Sequence, residues 1–481
     1  MKKLNKFISL IVMVAILVCS FHIRANADAE LHKNVKILVN GEEKCTAMGL
    51  IVNYDNNLYI SLRAVAYALA GTQKAFSVSV TGDEIAISTG ESYYEAPFVW
   101  TEEELLDDSK LKLARYSLKI NGEDKKYYSL IGNVSDGEKD AFMNPISIAM
   151  MLDMDMEVGP DGIMIKPENT FSISAEELDN TEYMQGVNSV LAGDGTTGDI
   201  YYAYDDDETV PIASTTKLMT YFVMMDAVSE GRISLDDNVV LSKNAQELSE
   251  GIDAVIPMSA GTSVPLRELI CGMLLKSSNE CALAIAEHVA GSEHEFVKLM
   301  NEKAAALGLK DASFYNSNGL PVYMEQIVPA KMQNRMTASD MFILASELVK
   351  NYPEVLDITS TKEMNLPTLG QSVKTTNALL YNINQVRGLK TGTTNKSGAC
   401  LVTCTPMEKD GQIHNLITVL YGAESETERA TISEVLVRYA MAELYTYESQ
   451  NVEEEFTGIP ADPEMVVRKL VDTAIKKSKN Q

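Results

Sequence analysis

Between residues 35 and 165 the chain alternates apolar and polar positions in short runs, and the pattern occurs twice. Val35 to Lys44 (VKILVNGEEK) and Tyr116 to Lys125 (YSLKINGEDK) both alternate at strand period and contain Asn-Gly, a strong hairpin-turn signal. SLRAVAYAL (61–69) and NPISIAMML (144–152) each place apolar residues at helical spacing over a short stretch. GDEIAI (82–87) and PDGIMI (160–165) then lead from a turn into a strand. Each copy therefore predicts strand, turn, strand, helix and hairpin, with the two helices buried against a shared sheet. From about 173 the texture becomes that of a larger mixed α/β domain running to about 445. The remaining residues, 446–481, form an acidic and then basic tail in which 464–477 has a helical apolar face.

The start of the chain breaks this pattern. Lys2, Lys3 and Lys6 precede an apolar run from Phe7 to Phe21, and Ala25-Asn26-Ala27 follows as a small-residue cleavage site. Residues 1–27 read as an export signal, leaving a mature chain that begins at Asp28. The alternative is an uncleaved anchor, although the run is shorter than the ~20 residues a membrane span needs. Domains are thus expected at 28–172 and 173–445.

Length and charge narrow the function. At 481 residues the chain is long enough for two folded domains, and 46% hydrophobic residues exclude a chain that is mostly disordered. A net charge of −27 repels polynucleotides and anionic lipid, so no nucleic-acid partner is expected. Beyond Cys19 in the signal, five cysteines remain: Cys45, Cys271, Cys281, Cys400 and Cys404. An odd, scattered set without Cys-x-x-Cys argues against a disulfide framework or a zinc site and for buried thiols. No metal and no cofactor are expected.

Three short motifs in the second domain carry candidate chemistry. In PIASTTKLMTYFVMM, Ser214 and Lys217 lie three residues apart at the start of an apolar helix, so their side chains share a face. A serine hydroxyl needs a base to become a nucleophile, and a lysine serves only when its pKa is depressed by burial or a nearby cation. In GMLLKSSNECALAIAEHVAG, Ser277 and Asn279 fall at a break between two apolar helical stretches. Ser277 is placed to relay a proton and Asn279 to orient Lys217. In VRGLKTGTTNKSGACLVTC, Lys390, Thr391 and Gly392 precede a strand at 399–404. Lys390 and Thr391 suit a terminal carboxylate, and Gly392 leaves room for a backbone to approach. The N–H groups of Thr393 and Ser214 can form an oxyanion hole, and Lys390 is the expected second cation beside Lys217. No Gly-x-Ser-x-Gly elbow is present, and His288, His294 and His414 lie outside the motifs.

This ordered trio is the established signature of class A β-lactamases and penicillin-binding proteins. Together with FVKLMNEKAAALGL (296–309) and FYNSNGLP (314–321), the segment 180–445 resembles the low-molecular-mass D-alanyl-D-alanine carboxypeptidases. Two positions depart from that pattern: Ser278, where many relatives have Gly or Asp, and Thr393, where His is frequent. The resemblance implies an antiparallel sheet flanked by helices and a serine-type carboxypeptidase acylated on Ser214. Lys217 is then the base, Ser277 and Asn279 the second motif, and Lys390, Thr391 and Gly392 the carboxylate site. It further implies peptidoglycan stem peptides as substrate, β-lactams as inhibitors and an extracytoplasmic location. The repeat region, above all YISLRAVAYALAG (59–71), resembles the copper-amine-oxidase N-terminal-like domain of bacterial surface proteins. That likeness implies a spacer or wall-contact module without chemistry. Two other readings are a β-lactamase that deacylates with an added glutamate, and a catalytically idle wall-binding or penicillin-sensing protein.

Overall fold

The computed structural model describes residues 29–52, 58–95, 114–135, 138–159, 162–180, 184, 186–251, 255–321 and 333–446. The proposed export signal and the apolar face at 464–477 lie outside these described residues. The chain divides into two compact units, Met1–Phe171 and Ser172–Gln481.

In the first unit the repeat is visible as structure. The first copy comprises β1 (Ala29–Val39), β2 (Glu42–Val52), β3 (Leu58–Ser61), α1 (Leu62–Ala68), β4 (Phe76–Thr81) and β5 (Glu84–Thr89). The second comprises β6 (Ser117–Ile120), β7 (Glu123–Lys125), β8 (Leu130–Ser135), β9 (Glu138–Met143), α2 (Pro145–Leu152), β10 (Asp155–Gly159) and β11 (Gly162–Lys166). The Asn-Gly pairs sit in left-handed turns, with φ 52 and 81 at Asn40 and Gly41 and φ 51 and 84 at Asn121 and Gly122. That is the backbone a tight hairpin demands of its two central residues. Corresponding residues cap the helices: Ser61 accepts from the N–H of Ala64, and Asn144 from that of Ile146.

The copies exchange hairpins. β11 of the second copy runs parallel to β1 of the first, and β5 of the first runs parallel to β6 of the second. Asn40 N donates to Ile165 O at 3.0 Å, and its counterpart Asn121 N donates to Ile87 O at 2.9 Å. Antiparallel β3 and β9 pair Ile60 with its own counterpart Met143. The long β2 corresponds to two strands, β7 and β8, in the second copy. That break divides the strands between a seven-stranded sheet, β10-β11-β1-β2-β3-β9-β8, and a four-stranded sheet, β4-β5-β6-β7. The single shared sheet expected from the pattern is thus two sheets. Leu62, Val65, Leu69, Ile148 and Leu152 join Ile37, Ile163, Phe76, Ile85 and Leu118, from both sheets, in one core.

The second unit is built on a five-stranded antiparallel sheet. Its strands are β12 (Ser189–Asp194), β13 (Ile200–Tyr204), β14 (Gly388–Thr394), β15 (Gly398–Lys409) and β16 (Gln412–Ala423), in the order β13-β12-β16-β15-β14. The central strands are buried on both faces, and side chains alternate between them. Cys400, Val402, Ile417, Val419 and Tyr421 join the large core shared with the helical lobe, whereas Leu401 joins Val437 of the C-terminal helix α8 (Glu426–Thr446). In the lobe, α3 (Lys217–Ser229) contacts α5 (Asn279–Ala290), α6 (Glu293–Ala306) and α7 (Ala338–Asn351). Leu218, Met219, Tyr221, Phe222, Val223, Met224 and Met225 are all buried, so this helix is sunk in the core rather than laid on it. Its first turn is therefore held from many sides.

Candidate active site

Ser214 lies in a single 3₁₀ turn, Ala213–Thr216, and Lys217 begins α3 directly after it. Ala213 is left-handed, at φ 45, a conformation that costs a non-glycine residue free energy and tends to persist only at constrained sites. The tight turn brings Lys217 Nζ to 2.8 Å from Ser214 Oγ. The same nitrogen is 2.9 Å from Asn279 Oδ1 and 2.7 Å from the carbonyl oxygen of Asn318. Lys217 is fully buried, and that burial brings its pKa down to about 7, against the raising influence of Glu280 and Cys281. Lys390 is held well below its ordinary value by burial first, then by Lys217, then by Arg429, and repulsion between two neighbouring amines acts on both of them.

These contacts orient the base. Once Lys217 has lost a proton, it has two N–H bonds and one lone pair for three partners. Asn279 Oδ1 and Asn318 O only accept, whereas Ser214 Oγ also carries a proton. The two N–H bonds go to the amide oxygens, and the lone pair is left facing the serine hydroxyl.

The second motif spans the break between α4 (Leu266–Leu275) and α5, as its sequence suggests. Ser277 turns the chain at φ 66 and Asn279 opens α5. Among the described residues no hydrogen bond joins Ser277 to Ser214 or Lys217. Ser278, one of the two departures, caps α5 by accepting from Cys281 N at 3.1 Å and donates to buried Glu280 at 2.5 Å. A hydroxyl there is a helix cap.

The third motif occupies β14, the edge strand. A Cβ at Gly392 would lie 3.0 Å from Ala213 Cβ and 3.1 Å from Ser214 N, so the strand runs hard against the nucleophile turn. Lys390 is buried and donates to Thr391 O at 2.8 Å, while Thr391 shares a 2.5 Å hydrogen bond with Thr376. Thr393, the other departure, donates to Gly392 O at 2.7 Å and accepts from Arg429 Nη1 at 3.0 Å. Arg429, buried on α8, adds a second cation beside Lys390. Neither it nor the carbonyl of Asn318 was visible as a functional group in the sequence. Arg429 lies well beyond the third motif in a stretch that mixes polar and apolar residues, and a carbonyl's direction has no side-chain signature. The histidines are elsewhere: His288 pairs with Asp237 at 3.0 Å, His414 with Asp194 at 2.5 Å, and His294 is exposed.

Known proteins resemble the second unit of this chain. The family model described as D-alanyl-D-alanine carboxypeptidase matches residues 179–425. The chain is 32% identical over 254 residues to the D-alanyl-D-alanine carboxypeptidase DacF of Bacillus subtilis, a match covering 52% of this chain and 61% of that protein. It is likewise 32% identical over 228 residues to a D-alanyl-D-alanine endopeptidase of Pseudomonas aeruginosa, covering 46% of this chain and 67% of that one. Among solved structures, a peptidoglycan synthesis regulatory factor (PBP3) from Streptococcus pneumoniae matches at TM-score 0.49 and 32% identity. That match covers 53% of this chain and 74% of the other. The chain thus spans about 60% of the length of curated relatives such as the B. subtilis protein. With the family model matched over more than half its length, the chain belongs to the D-alanyl-D-alanine carboxypeptidase family.

Proposed function

We propose that this protein is a serine-type D-alanyl-D-alanine carboxypeptidase that removes the terminal D-alanine from peptidoglycan stem peptides through an ester on Ser214. The observation that carries the reading is the set of three contacts at Lys217, which turns a buried, near-neutral amine into a base aimed at one hydroxyl.

The chemistry follows from that aim. Lys217 takes the Ser214 proton as Oγ bonds to the carbonyl carbon between the two D-alanines. The N–H groups of Ser214 and Thr393 receive the developing oxyanion. The C–N bond then breaks, and the proton passes by way of Ser277 to the departing amine, which leaves Lys217 neutral again. Lys217 next takes a proton from a water as its oxygen bonds to the ester carbon. The bond from that carbon to Oγ then breaks, and Lys217 returns the proton to Oγ, which regenerates Ser214 and the neutral amine. Among the described residues the outer edge of β14 has no neighbouring strand in its sheet, so an extended peptide can pair with it. Lys390, Thr391 and Gly392 hold the terminal carboxylate, with Arg429 adding charge to the same end. That demand for a free carboxylate favours the carboxypeptidase reaction over the endopeptidase one. A penicillin, whose strained amide mimics the scissile bond, acylates the same oxygen.

We infer a mature chain outside the cytoplasm, secreted or held at the wall, after removal of residues 1–27, a reading supported by the basic start, the apolar run and Ala25-Asn26-Ala27. For the first unit we propose a copper-amine-oxidase-N-terminal-like spacer that contacts the wall, a role supported by its internal repeat.

Incubation with penicillin followed by intact-mass spectrometry tests the central claim. One adduct per chain is expected, located on the Ser214 peptide, stable over minutes, and lost in Ser214→Ala. An adduct on another residue overturns the assignment, and rapid penicillin turnover without a trapped ester moves the protein to the β-lactamases.

A further inference from the structure

The segment FYNSNGLP (314–321) contributes one atom to the chemistry above, the carbonyl oxygen of Asn318. This segment is neither helix nor strand over residues 314–321, so no ladder of backbone hydrogen bonds fixes that oxygen. Two buried asparagines do so instead. Asn316 Oδ1 accepts from Asn318 N at 3.2 Å and Gly319 N at 2.7 Å, and its Nδ2 donates to Leu320 O at 2.6 Å. Asn334, 1% exposed, continues the network. Its Oδ1 accepts from Tyr315 N at 2.7 Å and Asn316 N at 3.3 Å. Its Nδ2 donates to Asn316 O at 2.9 Å, Asn316 Oδ1 at 3.2 Å and Thr216 Oγ1 at 3.0 Å. Its own carbonyl accepts from Ile212 N at 3.1 Å.

One side chain therefore joins the turn that holds the nucleophile to the loop that orients its base. Two further contacts close the loop on that turn. Thr220 Oγ1 on α3 donates to Ser317 O at 2.6 Å. Gly319, at φ 88, lies so near Ala213 that an added Cβ would fall 1.9 Å from its carbonyl oxygen.

We propose that Asn334 and Asn316 form an amide clamp that holds the Asn318 carbonyl on Lys217, and so keeps the lysine's lone pair on the Ser214 hydroxyl. Both are positioning residues, since neither touches substrate or Lys217. The proposal rests on Lys217 being the base for Ser214. When the clamp is loosened, the carbonyl drifts, the amine rotates, and fewer molecules have the lone pair aligned for proton transfer. Binding before that step is untouched, because the carboxylate-holding residues lie on β14.

The test measures penicillin acylation of the full chain at several concentrations, separating the non-covalent dissociation constant from the acylation rate constant. In Asn334→Ala the rate constant is expected to fall about ten- to a hundredfold, as a reactive group misplaced by a fraction of an ångström can cost. The dissociation constant stays within about twofold of wild type, since no binding contact is removed. Thr216→Val removes one acceptor and keeps the side-chain shape, so its rate constant falls roughly three- to tenfold, the worth of one neutral hydrogen bond. If Asn334→Ala does not fold, Thr216→Val decides. An unchanged rate constant in every variant that folds overturns the clamp while leaving the Ser214 reading intact. A loss confined to the dissociation constant also overturns it, by making Asn334 part of the binding surface. A wild-type chain that forms no ester on Ser214 removes the clamp and the base assignment together.

Discussion

The two units bury polar groups for different ends. In the first, Ser61 and Asn144 cap the helices, and buried Asp140 takes hydrogen bonds from Ser61 Oγ and Ala141 N beside Arg63. The caps support the local backbone, and Asp140 ties its own strand to Ser61 at the start of α1. In the second, Lys217, Lys390, Arg429, Asn279, Asn316 and Asn334 are all buried within or around one serine turn. Three cations and several amides are expensive to take out of water, and only a few local turns benefit. A concentration of buried charge that the backbone does not need is the physical mark of the site, and the first unit has no counterpart to it among its described residues.

Replacing the base tests this contrast most severely. Lys217→Met removes the proton acceptor but keeps the buried volume, so penicillin acylation should fall by about 10³-fold or more. Its Tm should equal or exceed that of wild type, because an apolar side chain replaces a buried amine. In the wild type, Lys217 is idle when protonated. Acylation should therefore rise with pH and reach half its plateau near pH 7, the value at which burial holds this lysine. A profile flat from pH 5.5 to 8.5 would show another group to be the base.

Gly392→Ala comes next. The new methyl meets Ala213 Cβ at 3.0 Å and Ser214 N at 3.1 Å, so strand or nucleophile turn must shift. Acylation should drop by roughly ten- to a hundredfold, with ~1–2 kcal/mol lost from stability in urea titration.

In the first unit the same kind of substitution should change stability alone. Burial lifts Asp140 to about 6, so the folded unit binds this proton more tightly than the unfolded chain. Its contribution to stability is present at low pH and is lost as pH rises from about 4 to 6. Asp140→Asn should therefore match wild type near pH 4 and exceed it by a few degrees in Tm above pH 6. Acylation should not change.

The smallest effect expected comes from removing the first unit altogether. A chain beginning at residue 173 should fold, having its own core, and acylate within about twofold of the full protein. A large loss of rate in a folded truncation would make the repeat unit part of the catalytic apparatus.

Much of this organisation is legible in the linear chain because it rests on local rules. The Asn-Gly turns and the helical spacing in 61–69 and 144–152 each act over a few residues, and each appears where the pattern puts it. Ser214 and Lys217 are equally local: three residues apart on one turn, they meet whatever the rest of the fold does. The break between α4 and α5 at the second motif is marked by its composition.

Other features depend on contacts made across long stretches of chain. The exchange of hairpins between the repeats, and the division into two sheets where β7 and β8 part, require pairing between residues as far apart as Ile87 and Ile120, Ile60 and Met143, and Ile37 and Ile163, which periodicity does not encode. The depression of Lys217, expected from burial or a neighbouring cation, comes chiefly from burial, a property of the whole helical lobe. Arg429 reaches the site from the last helix because α8 packs on the sheet. The sequence by itself determined that Ser214 and Lys217 share a turn and that Lys390, Thr391 and Gly392 lie beside a strand, since those are properties of residue type and short spacing. Only the tertiary structure decided where the lysine's lone pair faces, because that direction is set by a loop carbonyl and an asparagine pair brought in from distant parts of the chain.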